Sequence, residues 1–564
     1  MQILKLFNEL DSVFKKRTIY LIFLMLIAGF LEMIGVGLIL PLLTLLTGIS
    51  ETSSNNYYFL ITLREDLNLN EDELIIYLIV VICTLYVIKN FYLGIIYYLQ
   101  VKFIKDFQIK LGKKLLSAYL SMPLSYFSNK NSSIFIRNLS FDLVLLANSI
   151  SSYAILVLEG SIILLIVTLL LITLPKFTLI IIFCFTIVIS IYYYFTDKRI
   201  KKWGESRQYY ESEKIKHLKQ SIEFVREIKI YNIKDFFLKL FNNSNLNFSE
   251  SFKRHHFLQA IAKLWLETLT VLLIVVLLFF TITKSSAIES IPIIGLFAAA
   301  AFRLLPSMNR IVNSLNQLKF VKSIEKIFLH DLVSYNELLK KKIDEKSDLS
   351  FKKNITFDNV TFGYSKEKII FNNLNLQIKK GSKIGIFGIS GKGKSTLFDL
   401  LAGILIPQKG KILIDGKDLK NYINSWQSIL GYTHQNTIIL DDTIENNIAI
   451  GDDALDTDRL KKVIKIANLE DFISELKEGI KSRILEGGNN ISGGQKQRIG
   501  IARTLYKNPE VLIFDEAFNS LDKNSTEKIL SNLNTLYKDK TILFISHDLS
   551  LKDHCDQIID LNNF

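Results

Sequence analysis

Six apolar runs, at 19–46, 74–99, 153–174, 177–195, 258–283 and 291–305, leave the N-terminal half of this chain few choices. A helix needs roughly 20 apolar residues to cross a bilayer, and the six runs reach or approach that length. Inside lipid every backbone N–H and C=O must be satisfied within the chain, so such runs predict transmembrane helices. The third and fourth are divided only by Pro175-Lys176, which predicts a tight hairpin. Over the whole chain 49% of residues are hydrophobic and the mean hydropathy is +0.27, high for a soluble protein of 564 residues.

The net charge of +13 has two readings. One is a nucleic-acid surface, but no aromatic–basic binding motif accompanies the charge. The other is topological, because basic residues gather in the cytoplasmic loops of membrane proteins. The distribution favours the second. Lys5, Lys15, Lys16 and Arg17 precede the first run, and Lys102, Lys105, Lys110, Lys113 and Lys114 follow the second. Lys198, Arg199, Lys201, Lys202 and Arg207 follow the fourth, whereas Glu51, Glu65, Asp66, Glu71, Asp72 and Glu73 follow the first. Both termini and the two long loops are therefore expected in the cytoplasm.

Those loops, 101–120 and 200–243, are polar and almost free of Gly and Pro, which predicts helices continuing out of the membrane. Two short apolar patches interrupt them, Met122-Pro123-Leu124-Ser125-Tyr126-Phe127 and Glu223-Phe224-Val225-Arg226-Glu227-Ile228. Docking on a cytoplasmic domain and ordinary helix packing both suit such patches. Cys83, Cys184 and Cys555 make neither a disulfide framework nor a metal cluster. No small-residue cleavage site follows a short apolar core, so no removable signal peptide is expected. No peptidase domain is expected ahead of the first run.

The composition then changes. Residues 1–330 form the expected membrane domain, the charged stretch 331–350 a linker, and 351–564 an α/β domain of short β-type runs alternating with helices. Within it, Lys383-Ile384-Gly385-Ile386-Phe387 leads into Gly388-Ile389-Ser390-Gly391-Lys392-Gly393-Lys394-Ser395-Thr396, followed by Leu397-Phe398-Asp399-Leu400-Leu401. This is the G-x-x-x-x-G-K-[ST] phosphate loop in its strand–loop–helix setting. Its glycines let backbone N–H groups curl around phosphate oxygens, Lys394 can reach the β and γ phosphates, and Ser395 can hold Mg²⁺.

Further motifs follow in order. Tyr364 precedes the loop and can stack on adenine. Gln435 can reach Mg²⁺ and the attacking water. Ile491-Ser492-Gly493-Gly494-Gln495 precedes Lys496-Gln497-Arg498. Val511-Leu512-Ile513-Phe514 is an apolar strand ending in Asp515 and Glu516, the first suited to Mg²⁺ and the second to polarising water. His547 follows the strand Thr541-Ile542-Leu543-Phe544-Ile545, where it can contact a γ-phosphate.

Singly, Tyr364, Gln435 and His547 are ordinary loop residues. In this order and spacing the chain resembles an ABC exporter half-transporter over nearly its whole length, and Ser492–Gln495 resembles the ABC signature motif. The resemblance implies a type I exporter-like fold: a polytopic α-helical membrane domain with six transmembrane helices, then an α/β P-loop ATP-binding cassette. It implies ATP and Mg²⁺ as cofactors, and ATP held between the phosphate loop of one chain and the signature motif of another. Both motifs and Glu516 are intact, which points to a symmetric homodimer. The family's usual Ala-Thr-Ser-Ala-Leu-Asp is here Ala517-Phe518-Asn519-Ser520-Leu521-Asp522, and Asp548 stands where many members have Arg.

Ionisable residues in or beside the spans are the best pointers to cargo, since they are costly in lipid. They are Glu32, Lys89, Glu159, Lys263, Glu267, Arg303 and Arg310. Arg303 and Arg310, seven apart around Pro306, share a helix face and would suit a phosphate or pyrophosphate. The alternative is that they snorkel or pair with the glutamates. Gly29–Gly37 with Leu40-Pro41, and Phe302–Ile311, are similar to the first and sixth helices of bacterial lipid-linked oligosaccharide flippases of the PglK type. Asn56–Leu60 stands where those proteins carry a short external helix. That resemblance implies a pyrophosphate-binding role for Arg303 and Arg310, with Lys89 and Lys263 in the place of further arginines. It implies ATP-driven flipping of a polyprenyl-pyrophosphate-linked oligosaccharide across the bacterial inner membrane. Export of peptides or hydrophobic drugs, flipping of a lipid A-type lipid, and a soluble ATPase that binds nucleic acid are the competing readings; six spans weigh against the last.

Overall fold

The structure is a computed structural model that describes residues 12–46, 70–128, 130–173, 175–284, 287–343, 349–365, 368–389 and 391–563. The Asn56–Leu60 external helix and Ser390 lie outside the described residues. The chain divides into two compact units, Met1–Leu338 and Leu339–Phe564.

Every element among the described residues of the first unit is a helix. Helix α1 (Ser12–Gly37) breaks at Leu38 and resumes as α2 (Ile39–Leu46). There follow α3 (Glu71–Ser121), the short α4 (Leu124–Ser128) and α5 (Ser132–Arg137), α6 (Leu143–Thr173), α7 (Pro175–Glu223), α8 (Val225–Tyr231), α9 (Lys234–Lys284), α10 (Ala287–Phe320) and α11 (Lys322–Ile343). Among the described residues five helical segments are long and apolar enough to cross a membrane, Val13–Leu46, Asp72–Ser121, Ser132–Thr173, Pro175–Glu223 and Lys234–Phe279. The sixth predicted span, 291–305, lies in α10.

The helices outrun the apolar runs that seeded them. At about 1.5 Å per residue, the 51 residues of α3 reach about 76 Å, against roughly 30 Å of hydrocarbon. The polar continuations carry no Pro and little Gly, so nothing stops them at the interface. Pro175 begins α7, where its missing N–H costs nothing, and so sets the hairpin with α6. Asn232, at φ +52°, ends α8 in the left-handed conformation that Asn tolerates.

Between α5 and α6, residues Asn138–Asp142 form a π-helical turn. Its Asp142, fully buried, sits 2.9 Å from Arg137 and 2.7 Å from Arg207 of α7, and accepts a hydrogen bond from Gln208. A buried charge of this kind is tolerated because it is paired and hydrogen-bonded. Asn138 donates to the Tyr119 hydroxyl, and Tyr119 and Tyr126 both donate to Asp331 of α11. The first apolar patch therefore packs within its own unit. In the second, Phe224 and Val225 are half exposed.

The stretch 331–350, read as a linker from its charge, is helical as far as Ile343. Val321, Ile324, Phe328 and Leu332 recur at helical spacing and are all buried in the core of the first unit. Only Leu332 of that stripe falls within 331–350, and the boundary between the two units, after Leu338, falls inside the same stretch.

The second unit opens on an antiparallel sheet of order β2-β1-β4-β5, made of β1 (Asn354–Gly363), β2 (Ile369–Lys379), β4 (Lys409–Ile414) and β5 (Lys417–Asp418). A parallel sheet of order β11-β3-β10-β9-β6 joins β3 (Lys383–Phe387), β6 (Leu430–Thr433), β9 (Val511–Asp515), β10 (Thr541–Ile545) and β11 (Gln557–Asp560), while β7 (Asp442–Thr443) and β8 (Arg483–Ile484) pair with each other. Strands β9 and β10 are buried at every position, as continuous apolar runs in a sheet covered on both faces must be. Helix α12 (Lys394–Leu401) follows β3, α13 (Gly493–Tyr506) precedes β9 and α14 (Lys523–Leu536) follows it.

Candidate functional site

Register assembles the nucleotide site. Ile545 of β10 lies opposite Ile386 of β3 and Asp515 of β9, and Thr433 of β6 lies opposite Phe514. All four strands are parallel, so the residues just beyond them gather at one edge: the phosphate loop, Gln435, Glu516 and His547. Ligands of open parallel sheets bind at this C-terminal edge.

The loop has the backbone that phosphate binding requires. Gly391 and Gly393 have φ of +87° and +88°, and a Cβ on Gly393 would lie 2.5 Å from Ile370. Gly393 caps α12, whose N-terminus presents free N–H groups beside Lys394, Ser395 and Thr396. Lys394 Nζ donates to the Gly388 carbonyl at 2.7 Å and stands 4.0 Å from Glu516. Lys392 is exposed. Tyr364 is exposed before the loop, and its hydroxyl lies 3.2 Å from that of Thr396.

Glu516 is the hub. Its Oε2 accepts from Gln435 Nε2 at 2.6 Å and from Asn519 Nδ2 at 3.1 Å, and its Oε1 lies 3.5 Å from His547 Nδ1. Its own N–H donates to the Ile545 carbonyl, holding it at φ +49°. That conformation is costly for a residue with a side chain and is kept here by the hydrogen bond between strand ends. Asn519, part of the departure from the family's usual sequence, is a contact that motif reading does not foresee.

Asp515 is buried and accepts from the Tyr432 hydroxyl at 3.1 Å. Burial pushes its carboxyl above the usual range. It also pushes the Tyr432 phenol up, helped by the charge of Asp515. A cation would offset the cost of the buried carboxylate. The donors at this edge are the Ser395 hydroxyl, the Gln435 amide and Asp515, all hard oxygens and too few for a complete protein cage. That set fits Mg²⁺, which keeps waters and phosphate oxygens in its shell. Bound there, Mg²⁺ would supply charge neutralisation at the phosphates.

The signature segment caps a helix. Ser492 Oγ accepts from Gln495 N, and Gln495 Oε1 accepts from Ser492 N, a reciprocal capping box on α13. Gln495 thus has a structural duty. A Cβ on Gly493 would meet nothing closer than 3.7 Å, so packing does not account for that glycine, whereas close approach of a ligand would. Gly494 is packed against the Ser520 carbonyl, 3.0 Å from a Cβ built there.

Asp399 of α12 is a second carboxyl that the motifs do not mark. Burial and the neighbouring charge of Asp515 raise it to about 6. The folded chain therefore holds a proton between pH 4 and 6 that the unfolded chain has released. This group's contribution makes the cassette less stable as pH rises through that window. Asp399→Asn should melt higher than wild type at pH 7, with the gap closing towards pH 4. Melting curves at both pH values check this; a gap that is constant with pH would refute it.

A second cluster lies in the membrane unit. Glu32 of α1, Lys89 of α3, Glu159 of α6 and Arg303, Ser307 and Arg310 of α10 converge. Lys89 Nζ lies 3.2 Å and Arg303 Nε 3.0 Å from Glu32. Arg303 Nη1 lies 3.7 Å and Arg310 Nε 2.7 Å from Glu159, which also accepts from the Ser307 hydroxyl at 2.7 Å. Helix α10 runs unbroken through Pro306. Of the four basic residues expected together, Lys263 is absent from the cluster. It is exposed on α9, which packs against α7 and α10 rather than α1, α3 or α6.

Residues 18–304 match the family described as the ABC transporter transmembrane region, and residues 371–519 the family described as ABC transporter. The leukotoxin translocation ATP-binding protein LktB of Mannheimia glucosida is 43% identical over 207 residues, 36% of this chain and 29% of that protein. LktB of Bibersteinia trehalosi is 42% identical over 210 residues, 37% of this chain and 30% of its own length. The chain thus spans less than a third of the curated relatives it matches. A bacterial Atm1-family ABC exporter with ATP bound has the same fold, with a TM-score of 0.75, 21% identity, and coverage of 98% of this chain and 94% of its own. With both family models matched in order along it, the chain belongs to the ABC transporters, a multi-pass membrane protein of the type I exporter fold whose second domain is the ATP-binding cassette.

Proposed function

We propose that two copies of this chain form an ATP-driven exporter of the bacterial inner membrane, with cassettes and termini cytoplasmic. Its cargo is an amphiphile with a phosphate head group, a polyprenyl-pyrophosphate-linked oligosaccharide. What supports the cargo class is the ion cluster: three cations, Lys89, Arg303 and Arg310, stand against two carboxylates, Glu32 and Glu159. Ionisable groups inside a membrane bundle are costly, and an excess of cation is offset by an anionic guest. The forked guanidinium of Arg suits phosphate oxygens.

In the cassette, Lys394 and the α12 N-terminus bind the β and γ phosphates and Ser395, Gln435 and Asp515 hold Mg²⁺. Tyr364 stacks on the base. Glu516 orients and deprotonates the attacking water. His547 contacts the γ-phosphate, and Ser492-Gly493-Gly494-Gln495 of a partner chain closes the site. Gln435 donates through Nε2 to Glu516 in this structure, which leaves its amide oxygen for the metal.

The relatives named for leukotoxin translocation favour a second reading, a polypeptide cargo. Proteoliposomes separate the two. Labelled lipid-linked oligosaccharide should cross in an ATP-dependent way, while peptides and neutral drugs should not. ATP-dependent peptide movement without lipid flipping would replace the proposed cargo with the second reading.

A further inference from the structure

The cluster in the membrane unit already contains anions. Glu32 and Glu159 are 3% and 1% exposed, and together they engage Lys89, Arg303 and Arg310. We infer that these two carboxylates are internal stand-ins for the cargo head group, which occupy the arginines until a more highly charged anion displaces them, and so set which anions are accepted. The inference rests on the reading of the cluster as the cargo site.

Three features support exchange rather than permanent bracing. Arg303 is under-used: its Nη1 donates to the Ser307 hydroxyl, but its Nε is buried 3.0 Å from Glu32 without an aligned hydrogen bond. One cation is reachable where the carboxylates are not: the Arg310 side chain is 43% exposed and that of its partner Glu159 2%. An anion can therefore meet Arg310 without first entering the buried layer. Finally, Glu159 keeps company when Arg310 leaves, because Ser307 donates to it and Arg303 stands 3.7 Å away. The displaced carboxylate is not orphaned, which would make exchange prohibitive.

The consequence is selectivity by charge. A guest bearing one carboxylate offers Arg310 no more than Glu159 already does. A pyrophosphate offers more negative charge and more acceptor oxygens, so it gains from the exchange. Neutralising Glu159 removes the competitor and relaxes the demand.

The test uses the full-length protein in lipid nanodiscs and reads the rise in melting temperature caused by each guest. The guests are a polyprenyl pyrophosphate, a long-chain fatty acid and a neutral polyprenol. Wild type should be stabilised by the pyrophosphate and not by the fatty acid. In Glu159→Gln the half-stabilising mole fraction of pyrophosphate should fall about tenfold, the equivalent of about 1.4 kcal/mol. The fatty acid should become a detectable guest, and the polyprenol should be unaffected. Arg303→Ala/Arg310→Ala should abolish the response to pyrophosphate. If the double arginine variant loses that response while Glu159→Gln keeps wild-type selectivity or binds more weakly, the stand-in idea is wrong and the cargo site survives. If the double variant responds normally, the cargo-site reading itself falls. Should Glu159→Gln not fold, Glu159→Asp withdraws the carboxylate from Arg310 and must shift both charged guests in the same direction.

Discussion

Glu516→Gln will bind ATP and hydrolyse it ~10² to 10⁴ times more slowly than wild type, the range that a positioned general base contributes. The substitution leaves the binding parts in place. Lys394, the Gly391 and Gly393 backbone and the N-terminus of α12 do not depend on the Glu516 charge for their positions. The amide oxygen can still accept from Gln435 and Asn519, which meet Glu516 at 2.6 and 3.1 Å. What disappears is the acceptor for a proton. Purified protein should therefore saturate with a fluorescent ATP analogue at wild-type concentration and release almost no phosphate. Hydrolysis within a few-fold of wild type would move the base elsewhere, with His547, 3.5 Å from Glu516, the nearest candidate.

The two domains were legible in the sequence for different reasons. In the cassette, motif spacing is tied to strand ends, so finding β3, β9 and β10 places Gly388–Thr396, Asp515–Glu516 and His547 on one edge. In the membrane domain, apolar runs reveal where lipid lies but not where helices stop. The polar halves of α3 and α7 are marked only by an absence of breakers. Helix α11 starts on Ile324, Phe328 and Leu332 at helical spacing and runs on into the charged stretch that composition marks as a linker. Contacts between elements were the least legible. The sequence marks Glu32, Glu159, Arg303 and Arg310 as charges in apolar runs, with pairing as an open alternative. Their partners depend on how four helices pack, and that packing leaves Lys263 outside. Asn519 reaches Glu516 because the turn after β9 folds back, a three-residue contact that no periodicity announces.

Whether catalysis is shared between chains is open to a test whose two outcomes point in opposite directions. Lys394→Ala disables a phosphate loop, removing the ammonium beside Gly388 and Glu516. Ser492→Arg disables a signature segment, replacing the cap of α13 with a cation at the positive end of a helix. Losing that cap costs about 1 kcal/mol, so melting curves must show the variant folded. Consider isolated mixed dimers. If each site takes its phosphate loop from one chain and its signature segment from the other, a Lys394→Ala chain paired with a Ser492→Arg chain has one doubly damaged site and one intact site. It should retain roughly half of wild-type ATPase if the sites fire independently, whereas each single-variant homodimer falls ~10²-fold or more. A chain carrying both changes, paired with wild type, has damage at both sites and should be equally inactive. Were each chain to build a site from its own two motifs, the order would reverse: the first pairing would be dead and the second half active. ATPase measured on the two pairings, each purified through two different tags, reads the geometry directly. Activity that follows the second order would overturn the shared site, and with it the need for a dimer in hydrolysis.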